Sequence, residues 1–264
     1  MHFSEVPRFK FQASSRPRSL LTVEQVLQAP KITAQLMKFM CSPTSDGAAC
    51  CIIASEDFVH AHGLENQAIE IVAQGLETDD PAAYDTKSAM EVAGYGMSKR
   101  CADNVFKDAG FADGEGRDLV GVVELHDCFS ANELITYPAL GLCAPDEAHK
   151  MVERGDNTYG GKYVVNPSGS LEAKGHALGA TDLAPGLFDI PDKRGKFGLV
   201  HNIGIGGAVV VSLLHRPEFY KAGGIDGQAR LGYNHTYECW PVTLADIDKV
   251  KSKKSSKFES VESR

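Results

Sequence analysis

The chain has no excess of positive charge, no long apolar run and no paired-cysteine spacing. Its 27 Lys and Arg are outnumbered by 35 Asp and Glu, giving a formal net charge of -8, which excludes the basic balance of a nucleic-acid binder. The longest apolar stretches, Leu119 to Leu125 and Ala208 to Leu214, fall far short of the roughly 20 residues a membrane helix needs. A soluble protein that does not span a membrane is expected. The seven cysteines, Cys41, Cys50, Cys51, Cys101, Cys128, Cys143 and Cys239, are an odd number without CxxC spacing, and no signal-peptide pattern opens the chain. Reduced thiols in a cytosolic or organelle interior are the better expectation than a disulfide framework. His60-Ala61-His62 and Cys50-Cys51 lack partners at zinc-site spacing, so no metal is expected. The Gly-x-Ser-x-Gly elbow and the Walker sequence are missing too, which removes two common catalytic designs.

What is present is an ordinary globular composition, 264 residues with 43% hydrophobic, enough for one large domain or one domain with extensions. Residues 1–20, rich in Arg, Ser and Pro, read as a surface segment. Thr22, followed by Gln25, predicts a capped helix, and Thr33 to Phe39 carries apolar residues at helical spacing. Asp46 to Ala54 reads as a turn and a closely packed strand, Ser55 to His62 as a helix stopped by Gly63. A strand over 68–73 is followed by a long polar loop, a helix over 98–109 stopped by Gly110, a buried strand over 119–125 and a helix over 130–140. A polar stretch runs on to Gly161, and Phe197–His201 and Ala208–Leu214 flank a glycine turn as an antiparallel pair. The alternation predicts an α/β fold with a mixed sheet. From Arg216 the pattern dissolves into a polar tail with a basic run over 251–257.

Three polar islands sit beside these apolar runs. His126-Asp127-Cys128-Phe129 follows the strand at 119–125, and open α/β sheets bind ligands beyond the carboxyl ends of their strands. Cys128 stands where a helix begins, so the helix dipole and free N–H groups are expected to lower its thiol pKa, with His126 as a proton relay. A buried structural cysteine is the alternative. His176 lies in Lys174-Gly175-His176-Ala177-Leu178-Gly179, where glycine lets the backbone approach a ligand and the imidazole can act as base or as donor to an oxyanion. A histidine of the core is the alternative there. His201-Asn202-Ile203-Gly204-Ile205-Gly206-Gly207 is followed by β-branched residues, which rules out a dinucleotide loop and predicts a turn whose N–H groups could serve an oxyanion.

Together the three islands, with Ser45-Asp46-Gly47-Ala48-Ala49 and Asn166-Pro167-Ser168-Gly169, resemble the thiolases. The particular likeness is to the sterol carrier protein type of peroxisomal 3-ketoacyl-CoA thiolase, which has His-Asp-Cys-Phe where other thiolases have Asn-Glu-Ala-Phe. The likeness runs from about Thr22 to Tyr237. It implies a thiolase-like mixed five-stranded sheet with helices on its faces, the C-terminal thiolase domain over 65–215. Residues 1–64 would be the remnant of the preceding domain and its loop region, and 216–264 an irregular extension. The implied activity is thiolytic cleavage of 3-ketoacyl-CoA or the reverse condensation, with acyl-CoA and coenzyme A as ligands, no further cofactor and a homodimer as the family's assembly. His176 would activate the nucleophile, His126 would orient an oxyanion-binding water, and Cys128 would be the acid/base thiol. Asn202 and Gly204 would lie on the substrate, the Gly204 N–H facing the acyl oxyanion.

Three departures accompany the likeness. The chain looks like the second half of a thiolase, so the half bearing the acylated cysteine is expected before Met1 and the fragment is expected to be inactive alone. Ala177 replaces a usual proline, and Ser170 a usual glycine. Asp182 to Lys196, with Pro185, Gly186, Pro191 and Gly195, has no room for the family's helix, so part of one sheet face is expected to be uncovered at a cost of several kcal/mol, at about 25 cal/mol per Å². A non-catalytic CoA- or lipid-binding module and a cysteine hydrolase using Cys128 and His176 are the competing readings. Peroxisomal location follows from the likeness alone, since Glu262-Ser263-Arg264 is not a complete Ser-Lys-Leu-like signal.

Overall fold

A computed structural model describes residues 21–33, 35–47, 51–65, 68–158, 161–166, 169–177, 197–204 and 207–219. Residues 1–20, the stretch 182–196 expected to lack a helix, the tip of the glycine turn and the expected irregular extension from 220 on, with its basic run at 251–257, lie outside them. The described residues all fall within one compact unit, 1–224.

Strands β3 (Glu70–Thr78), β4 (Val120–Glu124), β5 (Val164–Val165), β6 (Phe197–Gly204) and β7 (Ala208–His215) form one mixed sheet in the order β3-β7-β6-β4-β5. The apolar runs at 119–125, 197–201 and 208–214 thus become its three central strands. β4 is parallel to β5 and β6, while β7 is antiparallel to β6 and β3. A small hairpin of β1 (Lys31–Thr33) and β2 (Leu36–Met37) stands apart.

One sheet face carries the main core. Helix α5 (Tyr95–Asp108) buries Met97, Cys101, Ala102 and Val105, a stripe at helical spacing, against Leu199, Ile203, Val209, Val211 and Leu213. The helix sits so close to β3 that a Cβ on Gly75 would fall 2.8 Å from the Val105 side chain. Helix α6 (Ser130–Ala139) adds Tyr137 to the same core. On the other face Val122, Val200 and Leu214 form a smaller cluster. Its centre is covered, with 1%, 8% and 4% of these residues exposed, whereas Ile71 and Leu76 on edge strand β3 are 53% and 64% exposed. Among the described residues of this face, the exposed apolar side chains are those of the edge strand.

Thr22 caps α1 (Val23–Leu27) with the expected reciprocal pair to Gln25, and Ser55 caps α2 (Glu56–Ala61). Elsewhere local signals mislead. Thr33 to Phe39 forms no α-helix; it is the β1–β2 hairpin running into a 3-10 turn, Lys38–Met40. A segment this short holds a helix only with a cap or with packing, and none of its described residues is buried to stabilise a helical face. The strand expected after the turn at Asp46 is also overturned where it is described, residues 48–50 lying outside the described ones. Residues 51–55 are irregular with Ile52 and Ile53 93% and 80% exposed, because an apolar run becomes a strand only where another strand supplies hydrogen bonds. The polar loop before α5 contains two short helices, α3 (Ala82–Asp85) and α4 (Ala89–Val92), and the stretch before Gly161 contains α7 (Ala148–Glu153). None is longer than two turns, so none writes a period into the sequence.

Candidate functional site

The carboxyl ends of the parallel strands β4 and β6 define the site. Past β4, the Leu125 N–H donates to the Asn166 side-chain oxygen at 2.8 Å, and Asn132 of α6 donates to the His126 carbonyl at 2.7 Å. The backbone is thereby pinned on both sides of the turn. His126, only 5% exposed, places Nδ1 3.0 Å from the Asn202 side-chain oxygen. Since that oxygen accepts, Nδ1 carries the proton and Nε2 keeps its lone pair. Burial, reinforced by the neighbouring His176, pushes the His126 pKa down to about 4, so the ring is neutral near pH 7.

His176 is brought to the same place from another direction. Its ring meets His126 edge to face, with centroids 5.0 Å apart and an interplanar angle of 77°, and its Nδ1 is buried with no hydrogen-bond partner among the described residues. The ring stands after helix α8 (Ser170–Lys174) and Gly175. Gly175 adopts φ +107, and a Cβ there would fall 2.2 Å from the Ser45 hydroxyl oxygen. Glycine is required twice over, by backbone sign and by space.

A strap from the chain's beginning ties the two islands together. Cys41 bridges Phe129, and the Ser42 N–H donates to the Cys128 carbonyl at 2.9 Å. One residue further, the Pro43 carbonyl accepts from the His176 N–H at 2.9 Å, and Thr44 bridges His176. Ala177, where the thiolase pattern has proline, packs tightly over Gly47, where an added Cβ would lie 2.7 Å from its own.

Cys128 is 6% exposed, and the expectation of a lowered thiol pKa is overturned. Burial first, and the adjacent Asp127 second, push the thiol up to about 11. Helix α6 starts at Ser130 with Phe129 as its N-cap, so Cys128 precedes the cap and desolvation outweighs the dipole. A thiol held up there is protonated at neutral pH, so it can give a proton more readily than it can attack as a nucleophile.

Asn202 and His201 separate by strand alternation. Asn202, on β6, faces His126. His201, fully buried, turns the other way into the helix-covered core, its Nε2 3.0 Å from the Ser98 hydroxyl of α5. Burial, then the nearness of His126, pushes His201 down to about 3. It supports the site from behind. Gly204 ends β6 in an exposed position opposite Ala208.

Sequence reading missed three supports. Asn166 holds Leu125 from a left-handed backbone, φ 51. Ser170, at φ 37, uses the hydroxyl that glycine would lack to donate to the Leu125 carbonyl at 2.8 Å. Asp127, 5% exposed, accepts N–H bonds from α8. The only sequence signal was their place inside or beside the islands.

Residues 83–185 match the thiolase C-terminal domain-like family. Sterol carrier protein 2 of Gallus gallus is 50% identical over 202 residues, 73% of this chain and 36% of that protein. The chain belongs to the thiolase superfamily. A more distant superfamily member, the acetyl-CoA acetyltransferase of Methanothermobacter thermautotrophicus, is 32% identical over 219 residues, 77% of this chain and 55% of that protein. The crystal structure of the Bacillus anthracis acetyl-CoA acetyltransferase shares the thiolase fold at a TM-score of 0.54, with 18% identity, covering 76% of this chain and 44% of that one. The chain thus spans little more than a third of the sterol carrier relative's length.

Proposed function

We propose that this chain binds 3-ketoacyl-CoA thioesters and carries the acid/base and oxyanion groups of thiolytic cleavage. The observation that carries the reading is the contact of His126 and His176, two imidazoles from separate loops meeting at 5.0 Å where the parallel strands β4 and β6 end. In thiolysis the acyl group passes to a nucleophilic cysteine, the bond between the α and β carbons breaks, and its electron pair leaves as the enolate of the departing thioester. That enolate needs a proton at carbon. Cys128, a thiol held protonated with its pKa pushed up to about 11, is the donor; His176 serves the nucleophile and the thioester oxygen. His126, neutral and oriented by Asn202, steers an oxyanion-binding water, and the Gly204 N–H faces the acyl oxygen. None of the seven cysteines carries the thiolase nucleophile motif, so this chain holds the proton-handling half of the chemistry and is inactive by itself.

By its likeness to the peroxisomal thiolases, the site serves fatty-acid or sterol side-chain β-oxidation in that organelle. The same buried, protonated Cys128 also favours a second reading, a CoA- or lipid-binding module without turnover. Two measurements separate these readings. Calorimetric titration with CoA and with acetoacetyl-CoA should give saturable heats, and absence of binding by both removes the CoA-directed reading. Thiolysis of acetoacetyl-CoA followed at the enolate absorbance should stay at the uncatalysed rate, and turnover by the purified chain would overturn the inactivity.

A further inference from the structure

His176 has no regular element of its own. It follows α8, whose five residues are far too few for a helix that persists without outside support. That support comes from Asp127. One oxygen of its carboxyl group, whose pKa burial pushes up to about 8, accepts the Leu171 N–H at 2.7 Å and the Glu172 N–H at 3.4 Å. These are groups of the first turn of α8, whose N–H donors have no partner within the helix. A carboxyl group this buried would be costly without such donors.

The hydrogen bonds continue through the helix to the residue before His176. Leu171 receives Asp127 at its N–H and, through its carbonyl, accepts the Gly175 N–H at 2.8 Å; His176 is the next residue. Asp127 itself stands between His126 and Cys128. A shift of its carboxyl group therefore moves α8 and Gly175 relative to the very loop that carries the other two groups.

We propose that Asp127 is a positioning residue: through Leu171 and Gly175 it sets the place of the His176 ring against His126. The inference rests on the reading of these two histidines as the working pair, yet its test needs neither CoA nor turnover. In the full chain, nuclear magnetic resonance should show a ring-to-ring cross-peak between His126 and His176, and a separate contact of His201 with Ser98. Asp127→Ala should abolish the first and shift the His176 ring signals while leaving the second in place. Asp127→Asn keeps a side-chain oxygen for the Leu171 N–H and should restore the His126–His176 cross-peak. An unchanged cross-peak in Asp127→Ala overturns the proposal. So does joint loss of the His201 contact in both variants, which would make Asp127 a residue of general stability. If the cross-peak behaves as expected but CoA does not bind, the positioning stands and the functional reading fails.

Discussion

The helix-covered face of the sheet and the carboxyl end of its strands are held by different forces. On the helix-covered side, α5 and α6 press apolar side chains onto β6 and β7, and the contact is non-directional and spread over many residues. At the carboxyl end, beyond the last apolar layer, the loops are held by single directed bonds: Asn166 to Leu125, Asn132 to His126, Ser42 to Cys128, His176 to Pro43. The first arrangement loses stability in proportion to volume removed. The second can lose its geometry at one atom while the fold survives, so site and core should respond separately to substitution.

Breaking the core should have the largest effect. Leu213→Ala, at a fully buried position of β7, should lower stability by about 2–5 kcal/mol in chemical denaturation. If the loss were below 1 kcal/mol, this side of the sheet would not be the stabilising one. Gly175→Val attacks the site instead. With φ +107 and Ser45 in the way, it should cost about 1–3 kcal/mol of backbone strain and displace His176. A loss of CoA affinity with most of the melting temperature retained is the expected signature; equal losses in both would erase the distinction between the two regions.

His201 joins the two regions and gives a sharper comparison through pH. Its folded pKa, about 3, lies below the ordinary value near 6.5, so the unfolded chain takes up the proton first. Its contribution is present above about pH 6.5 and is lost as pH falls toward 3. The stability of the wild type minus that of His201→Asn should therefore decline on acidification through that window, and a flat difference would mean that His201 is not held neutral. The smallest effect belongs to a helix outside both regions: Thr22→Ala, which removes the capping pair with Gln25, should cost about 1 kcal/mol without touching CoA binding.

The legibility of the sequence follows the same division. The apolar runs at 119–125 and 208–214 announced the buried strands, because a strand covered on both faces is apolar throughout, and Gly110 marked where α5 stops. The islands gave away His126, Cys128 and His176 by residue type and order. What stayed hidden depended on contacts across long sequence separations. Nothing in Ser42 or Pro43 says that their backbone will clasp residues about 86 and 133 positions away, and Ile52-Ile53 looks like a strand in any window that omits its surroundings. The pKa of Cys128 was misjudged for that reason too: helix proximity is local, whereas its burial is tertiary.

The proposed meeting of His126 and His176 with a CoA thioester has a spectroscopic consequence. Histidine side-chain resonances recorded during titration of the full chain with acetoacetyl-CoA test it most directly. The predicted result is saturable movement of the His126 and His176 signals, with the exposed His60 and the strand-end His215 unmoved. Movement confined to His60 or His215, or none at all at saturating ligand, would contradict it.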